Sequence, residues 1–252
     1  MNLTGNTILV TGGGSGIGRG LAEAFHKLGN QVIIAGRRQD VLDATAAASP
    51  GMKAVILDIE DPASIAAAVD KLTLHFPTLN VVVNNAGIMR AEDLQQGETA
   101  TAESIVAINL LGPIRLTAAL MPHLLYQPDA TVVTVSSGLA FTPLAVTPSY
   151  NASKAAIHLL SESIRLQLAD TSVKIVELVP PSVRTELVPG QRDSEFAMPL
   201  EDFTSEVVAL LEAQPDAREI QVEQVKFLRY GEARGDYDQV VATLNNSDPH
   251  GR

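Results

Sequence analysis

Apolar residues in this chain occur in two alternating patterns. Short runs are apolar at nearly every position: 7–11, 31–35, 54–57, 81–83, 130–136 and 173–179. Runs of this length and uniformity predict strands covered on both faces, as in a parallel sheet. Between them apolar residues recur every three or four positions, which predicts helices. Ile17, Leu21, Phe25 and Leu28 form one such stripe, with Gly29 placed to cap its end. Ile65, Val69 and Leu72 form another, entered through Asp61-Pro62, an N-cap and first-turn pair. A long helical stretch covers about 101–125, with Asn109 in its middle. A further helix starts near Tyr150, and its expected inward stripe is Ala152, Ala155, Ala156, Leu159, Leu160 and Ile164. Residues 219–225 read as a last strand and 237–244 as a short terminal helix within a C-terminal tail, 229–252. Two segments lack a period: an apolar loop at 138–148, and 187–200, which reads as a lid over a substrate.

Strand and helix alternate with no linker or break in composition. The expected fold is α/β: one doubly wound parallel sheet of about seven strands, helices on both faces, in a single domain spanning 1–252. Ligands of such sheets bind outside the carboxyl ends of the strands, and the chemically distinctive residues fall at those ends.

The first run leads directly into Gly12-Gly13-Gly14-Ser15-Gly16-Ile17-Gly18 and then a helix. Glycines admit close approach of a backbone, and a helix N-terminus presents free N–H groups with partial positive charge, so this turn suits a pyrophosphate in a Rossmann-type site. After the second run, the place of the usual ribose-binding acid is taken by Gly36, followed by Arg37 and Arg38. Arginines there suit a 2′-phosphate, which favours NADP(H) over NAD(H); the nearby Asp40 reads as the start of the next helix. The third run ends at Asp58-Ile59 and the fourth in Asn84-Asn85-Ala86-Gly87, small and amide residues that leave room for a ligand. Tyr150 and Lys154, four apart on a helix, share one face. An ammonium beside a phenol favours the phenolate, typically by about 1–3 pH units, so the pair is expected to act as an acid/base device for carbonyl–alcohol chemistry.

Composition removes other classes. The formal net charge of −11 argues against nucleic acid or an anionic membrane as partner. There is no cysteine, hence no disulfide, thiolate nucleophile or cysteine-held metal, which fits a cytoplasmic protein. The five histidines lack ligand spacing, so no metal site is expected. The first residues lack a basic leader pattern, and Gly112, Pro113, Arg115, Pro122 and His123 are expected to interrupt the most apolar helical stretch short of a membrane span.

Taken together, Thr11-Gly12-x-x-x-Gly16-x-Gly18, Asn84-Asn85-Ala86-Gly87, Asn109, Ser137 and Tyr150-x-x-x-Lys154 resemble the short-chain dehydrogenase/reductase family, in its compact single-domain branch, from about residue 7 to 185. The resemblance implies that Tyr150 is the catalytic acid in reduction and the base in oxidation. Lys154 would lower its pKa and hold the nicotinamide ribose, while Ser137 would bond the substrate oxygen. Asn109 would hold a water in a proton relay from Lys154. Gly12, Ser15, Gly16, Ile17, Gly18, Asp58, Ile59, Asn85, Ala86 and Gly87 would line the dinucleotide, and Val183 and Thr185 the carboxamide. It departs from the family at Pro180-Pro181, where Pro-Gly is usual, and in lacking a glycine-rich end to the last strand, which leaves a homodimer through 101–125 and 150–168 or a homotetramer as the expected assembly. The expected activity is an NADP(H)-dependent carbonyl reductase or alcohol dehydrogenase. Phe141, Leu144, Val146, Leu187, Phe196 and Met198 would shape a pocket for a small hydrophobic ketone, aldehyde or alcohol. The alternatives are an NAD(H)-dependent polyol or sugar dehydrogenase and a non-catalytic dinucleotide sensor.

Overall fold

The computed structural model describes residues 1–247. Its seven strands are β1 (Thr7–Thr11), β2 (Gln31–Gly36), β3 (Lys53–Ile56), β4 (Leu79–Asn84), β5 (Ala130–Val135), β6 (Val173–Val179) and β7 (Glu219–Gln221). They form one sheet in the order β3-β2-β1-β4-β5-β6-β7, every pairing parallel. The order reverses between β1 and β4, and a crevice opens at that switch point.

Successive side chains of a strand point to opposite faces, and the core divides accordingly. Ile8, Val10, Ile34, Val83, Val133 and Leu178 pack on one face with Leu21 and Phe25 of α1 (Gly16–Lys27), Leu42 of α2 (Gln39–Ala48) and Phe203 and Val207 of α7 (Leu200–Ala213). Leu9, Ile33, Val82, Val132 and Ile175 pack on the other with Ile65 and Leu72 of α3 (Pro62–His75) and Leu116, Leu120 and Leu124 of α5 (Gly112–Leu125). The expected N-cap of α3 forms: the Asp61 carboxylate accepts from Ala63 N–H at 2.9 Å and Ser64 N–H at 3.2 Å.

Three expectations are corrected. The stretch around Asn109 is not cut short: α4 (Ala100–Val106), one π turn (Ala107–Leu111) and α5 run on as one helix. The wide turn relaxes the hydrogen-bond ladder just before Pro113, where a proline lacks an N–H and would clash with the carbonyl four residues back. Among the described residues, Ala100–Leu125 is the one helix long and apolar enough to cross a membrane by length and composition; Leu116, Leu120 and Leu124 are fully buried against the sheet.

The last strand is short, Glu219–Gln221, and 223–225 coil into a tight turn. Its partner β6 ends at Val179, opposite Gln221, because Pro180-Pro181 offers no further donors. The Glu223 N–H bonds the Glu206 carboxylate at 2.7 Å instead. Beyond it the expected tail is helical, in α8 (Lys226–Arg229), α9 (Gly231–Arg234) and α10 (Tyr237–Ser247); its final five positions, 248–252, lie outside the described residues.

The third correction concerns α6 (Pro148–Gln167). Its buried side is Tyr150, Ser153, Lys154, Ile157 and Ser161, while Ala152, Ala155 and Leu159 of the expected inward stripe are exposed. Periodicity places alanine and leucine inward, but the polar residues win because each finds a partner there. Ser161 Oγ meets Thr134 Oγ1 at 2.7 Å, and Ser153 Oγ donates to Tyr150 O at 2.7 Å.

Candidate active site

The glycine turn between β1 and α1 is built for close approach. Gly12 and Gly16 have φ of 65° and 52°, where other residues are strained. A Cβ on Gly18 would sit 2.4 Å from both Asn85 Nδ2 and Gly12 O. Gly18 therefore does not line the crevice but lets α1 start tight against the β4 loop. Thr11 ties the two segments: its Oγ1 accepts from Asn85 N–H and Ala86 N–H at 3.0 Å, and its carbonyl accepts from Asn85 Nδ2 at 2.9 Å. Ser15 caps α1 with extended backbone and no side-chain bond, so the first amides of the helix stay available. Gly18→Val should overpack this junction, lowering stability by about 1–3 kcal/mol and dinucleotide affinity at least tenfold (about 1.4 kcal/mol); a thermal melt with a fluorescence binding titration measures both.

Two adjoining clefts, of about 190 and 330 Å³, share Gly12, Ser15, Arg37, Arg38, Ala86, Gly87 and Ile88 and so form one groove across the switch point. The first also holds Asp58 and Ile59. The second holds Gly16, Ile17, Asn85, Ser137, Tyr150, Lys154, Val183 and Thr185. The structure thus gathers every expected catalytic and cofactor-contacting residue along one groove except Gly18 and Asn109. Arg37 and Arg38 are exposed, and among the described residues neither is salt-bridged to a carboxylate. Asp40 lies in the first turn of α2, as expected. An extended groove with a free helix N-terminus, a glycine cradle and two available guanidinium groups fits a dinucleotide diphosphate.

Asn109 is 1% exposed in the π turn. Its Oδ1 accepts from Ile88 N–H and its Nδ2 donates to Ile88 O, both at 2.9 Å, and to Ser153 Oγ at 3.2 Å. It pins the chain after Gly87 to α6; among the described residues it makes no hydrogen bond to Lys154.

Tyr150, Ser137 and Lys154 converge at the ends of β5 and α6. Ser137 lines the groove beside Tyr150, and its Oγ accepts from Leu139 N–H at 3.1 Å. Lys154 Nζ donates to Val135 O at 2.8 Å and lies 5.6 Å from the Tyr150 ring centroid. The electrostatics differ from the expected ammonium-assisted phenol. Burial pushes Tyr150 up to about 12, with the Ser137 hydroxyl acting against it. Burial also pushes Lys154 down to about 8, with the Glu177 carboxylate opposing that. Lys154 is turned to a carbonyl rather than to the phenol, so desolvation outweighs their attraction in both groups.

A stability prediction follows from Lys154. A folded pKa of about 8 against 10.5 means the unfolded chain holds this proton more tightly, which costs the folded state roughly 3 kcal/mol near neutral pH. That cost falls as pH rises from 8 toward 10.5. Lys154→Met should therefore stabilise the fold near pH 7 by about 1–3 kcal/mol, after losing about 1 kcal/mol for the Val135 bond. Its advantage should shrink by pH 9.5, as read from urea unfolding at the two pH values.

Of the six expected pocket residues only Leu187 lines the groove. Phe141 packs edge-on against His158, Phe196 is 74% exposed, and Met198 pairs with Val183. The segment 187–200 is strapped to the chain that follows β6: Arg184 Nε donates to Ser194 O and Ala197 O at 3.0 Å, and Gln191 Nε2 to Val183 O at 2.8 Å. It brings Gln191 to the groove beside Glu186, which precedes it; the sequence did not single out either because loop positions carry no period. Ile88 was missed too, although it directly follows the amide motif.

Fold and site define a dinucleotide-binding α/β protein with a Ser–Tyr–Lys set at the switch point. The short chain dehydrogenase family model matches residues 6–195. An uncharacterised oxidoreductase of Bacillus subtilis (strain 168), DltE, is 39% identical over 253 residues, covering 98% of this chain and all of the relative. The chain belongs to the short-chain dehydrogenase family. Among solved structures, a short-chain dehydrogenase from Burkholderia cenocepacia in complex with NADP superposes with a TM-score of 0.81 at 24% identity, covering 97% of this chain and 99% of the other. A 3-ketoacyl-(acyl-carrier-protein) reductase from Brucella melitensis complexed with NADH gives 0.78 at 27%, covering 86% and 96%.

Proposed function

We propose that this dehydrogenase uses NADP(H) to interconvert a small hydrophobic ketone or aldehyde and its alcohol. The observation that carries the reading is the Ser137–Tyr150–Lys154 set opening onto a groove that also presents Arg37 and Arg38. The nicotinamide dinucleotide, when bound, supplies or takes the hydride at the carbonyl carbon. In reduction Tyr150 gives its hydroxyl proton to the carbonyl oxygen as charge builds there, and Ser137 donates a hydrogen bond to the same atom. In oxidation the proton passes the other way. Lys154, as the ammonium, restores the favourable field for a phenolate; Asn109 holds the wall beside it. A neutral phenol near pH 7, favoured by burial, suits the reducing direction.

Ile88, Val135, Pro180, Pro181, Val183 and Leu187 supply apolar walls for a small substrate, with Glu186 and Gln191 as polar neighbours. The exposed Leu159 and Leu166 on α6, with Leu111, Ile114 and Leu125 on the α5 side, support a homodimer through these helices. The absence of cysteine supports a cytoplasmic location. The test is initial-rate oxidation of NADPH and NADH against a panel of hydrophobic ketones and aldehydes. Faster turnover with NADPH is expected. Faster turnover with NADH, and with polyols in the reverse direction, would favour a polyol dehydrogenase; tight NADPH binding without turnover on any carbonyl would favour a sensor.

A further inference from the structure

Behind the catalytic helix lies a polar cluster that the proposed chemistry does not use. Tyr150, Lys154 and His158 follow one another at four-residue steps along α6, so all three lie over the sheet on one side. His158 Nδ1 meets Glu177 Oε2 at 2.7 Å, and the Glu177 side chain is wholly buried on β6. Its other oxygen, Oε1, is buried and among the described residues has no hydrogen-bond partner. A carboxylate in this state is costly unless a positive charge stands nearby.

Two cations are at hand. One is Arg229 of α8, but its guanidinium is taken up by both oxygens of Glu219 on β7, at 2.8 and 3.2 Å. It also stacks 4.0 Å from the Phe141 ring centroid and 5.2 Å from that of Tyr230. His158, Glu177 and Glu219 have ligand atoms close enough to hold a metal ion; Arg229 already supplies that cluster's positive charge through Glu219. The other cation is Lys154, one helical turn from His158, with its Nζ on Val135 O. Strand register sets Glu177 beside Thr134 and Leu178 beside Val135, so the carboxylate lies under the same turn of α6.

We propose that Glu177, held in place by His158, is a positioning residue that keeps Lys154 in its ammonium form. Glu177 is the charge that opposes the desolvation of Lys154. The groups facing Glu177 are Lys154 and His158 from α6, Glu219 from β7 and Arg229 from α8. Because Glu219 and Arg229 largely cancel, the field at Lys154 is set mainly by Glu177. Without it, burial alone would leave a neutral amine beside Tyr150 at physiological pH, and that amine could not stabilise a phenolate.

The inference rests on Lys154 serving the proposed catalytic set, so its test reads Lys154 directly and needs no substrate. The chain has six lysines, and in ¹³C,¹⁵N-lysine-labelled protein the Lys154 signal is assigned by its loss in Lys154→Arg. Wild-type Lys154 should titrate near 8. Glu177→Gln should lower the midpoint by about one pH unit or more, and Glu177→Asp should restore most of it. An unchanged midpoint in folded Glu177→Gln protein overturns the proposal. If that variant does not fold, His158→Leu, which removes the bond orienting the carboxylate, should shift the midpoint the same way by less; no shift there overturns it too. With a substrate in hand, the alkaline limb of kcat for reduction should move to lower pH in Glu177→Gln. A loss equal at every pH would mark a merely structural role and contradict the proposal, while failure to find any substrate bears only on the function.

Discussion

Tyr150→Phe should abolish nearly all carbonyl reduction while leaving the fold and dinucleotide binding intact. The ring is 7% exposed and packs as phenylalanine would, so the substitution removes one hydroxyl and its proton. A positioned proton donor typically contributes about 10²–10⁴-fold, and among the described residues no other titratable hydroxyl lines the groove to replace it. Loss of kcat with an unchanged NADPH affinity is the expected pattern; wild-type turnover in the variant would remove Tyr150 from the chemistry. The Ser137 hydroxyl is far too weak an acid to transfer its proton and should not rescue it.

The second large effect concerns cofactor choice. Arg37→Ala with Arg38→Ala should raise the NADPH KM by about 10–100-fold, the size expected when charge-assisted bonds to one phosphate are lost. The NADH KM should change little, since its ribose carries no phosphate. Gly36 offers the complementary test. A Cβ there would meet only Leu42 Cδ2, at an ordinary 3.6 Å, so Gly36→Asp should be accommodated. Its carboxylate would face a ribose hydroxyl and repel a phosphate, moving preference toward NADH. Equal changes for both cofactors in the arginine variant would show that these side chains do not read the phosphate.

The central strands could be read from sequence because they are apolar on both faces, a pattern that surface elements do not mimic. The glycine turn and Asp61 cap were equally plain, since each residue meets a local backbone need. What escaped depended on distant partners. The strand at 219–225 was cut short by Pro180-Pro181 on its neighbour, forty residues earlier. The inward face of α6 is rotated from the expected one because Ser153, Lys154 and Ser161 find acceptors and hydroxyls on β5 and within the helix. A hydrophobic count cannot see such partners, and it fails at the functional helix for that reason. His158, Glu177 and Glu219 come from three separate elements and show no spacing in the chain. The substrate-facing residues fared worst: Phe141 turns toward Arg229 and Phe196 toward solvent, and only Leu187 reaches the groove. The Tyr150–Lys154 pairing was legible from its spacing, but its electrostatics were not, because burial of both groups is a property of the assembled fold.

The most direct test of the account is isotope transfer. Purified enzyme would be given NADPH carrying deuterium at C4 of the nicotinamide, on one face and then the other, with a reducible hydrophobic ketone, and the alcohol analysed by mass spectrometry. The account predicts an alcohol one mass unit heavier from one face only, and almost none formed by Tyr150→Phe. An alcohol without deuterium from either cofactor, or no alcohol despite bound NADPH, would contradict it.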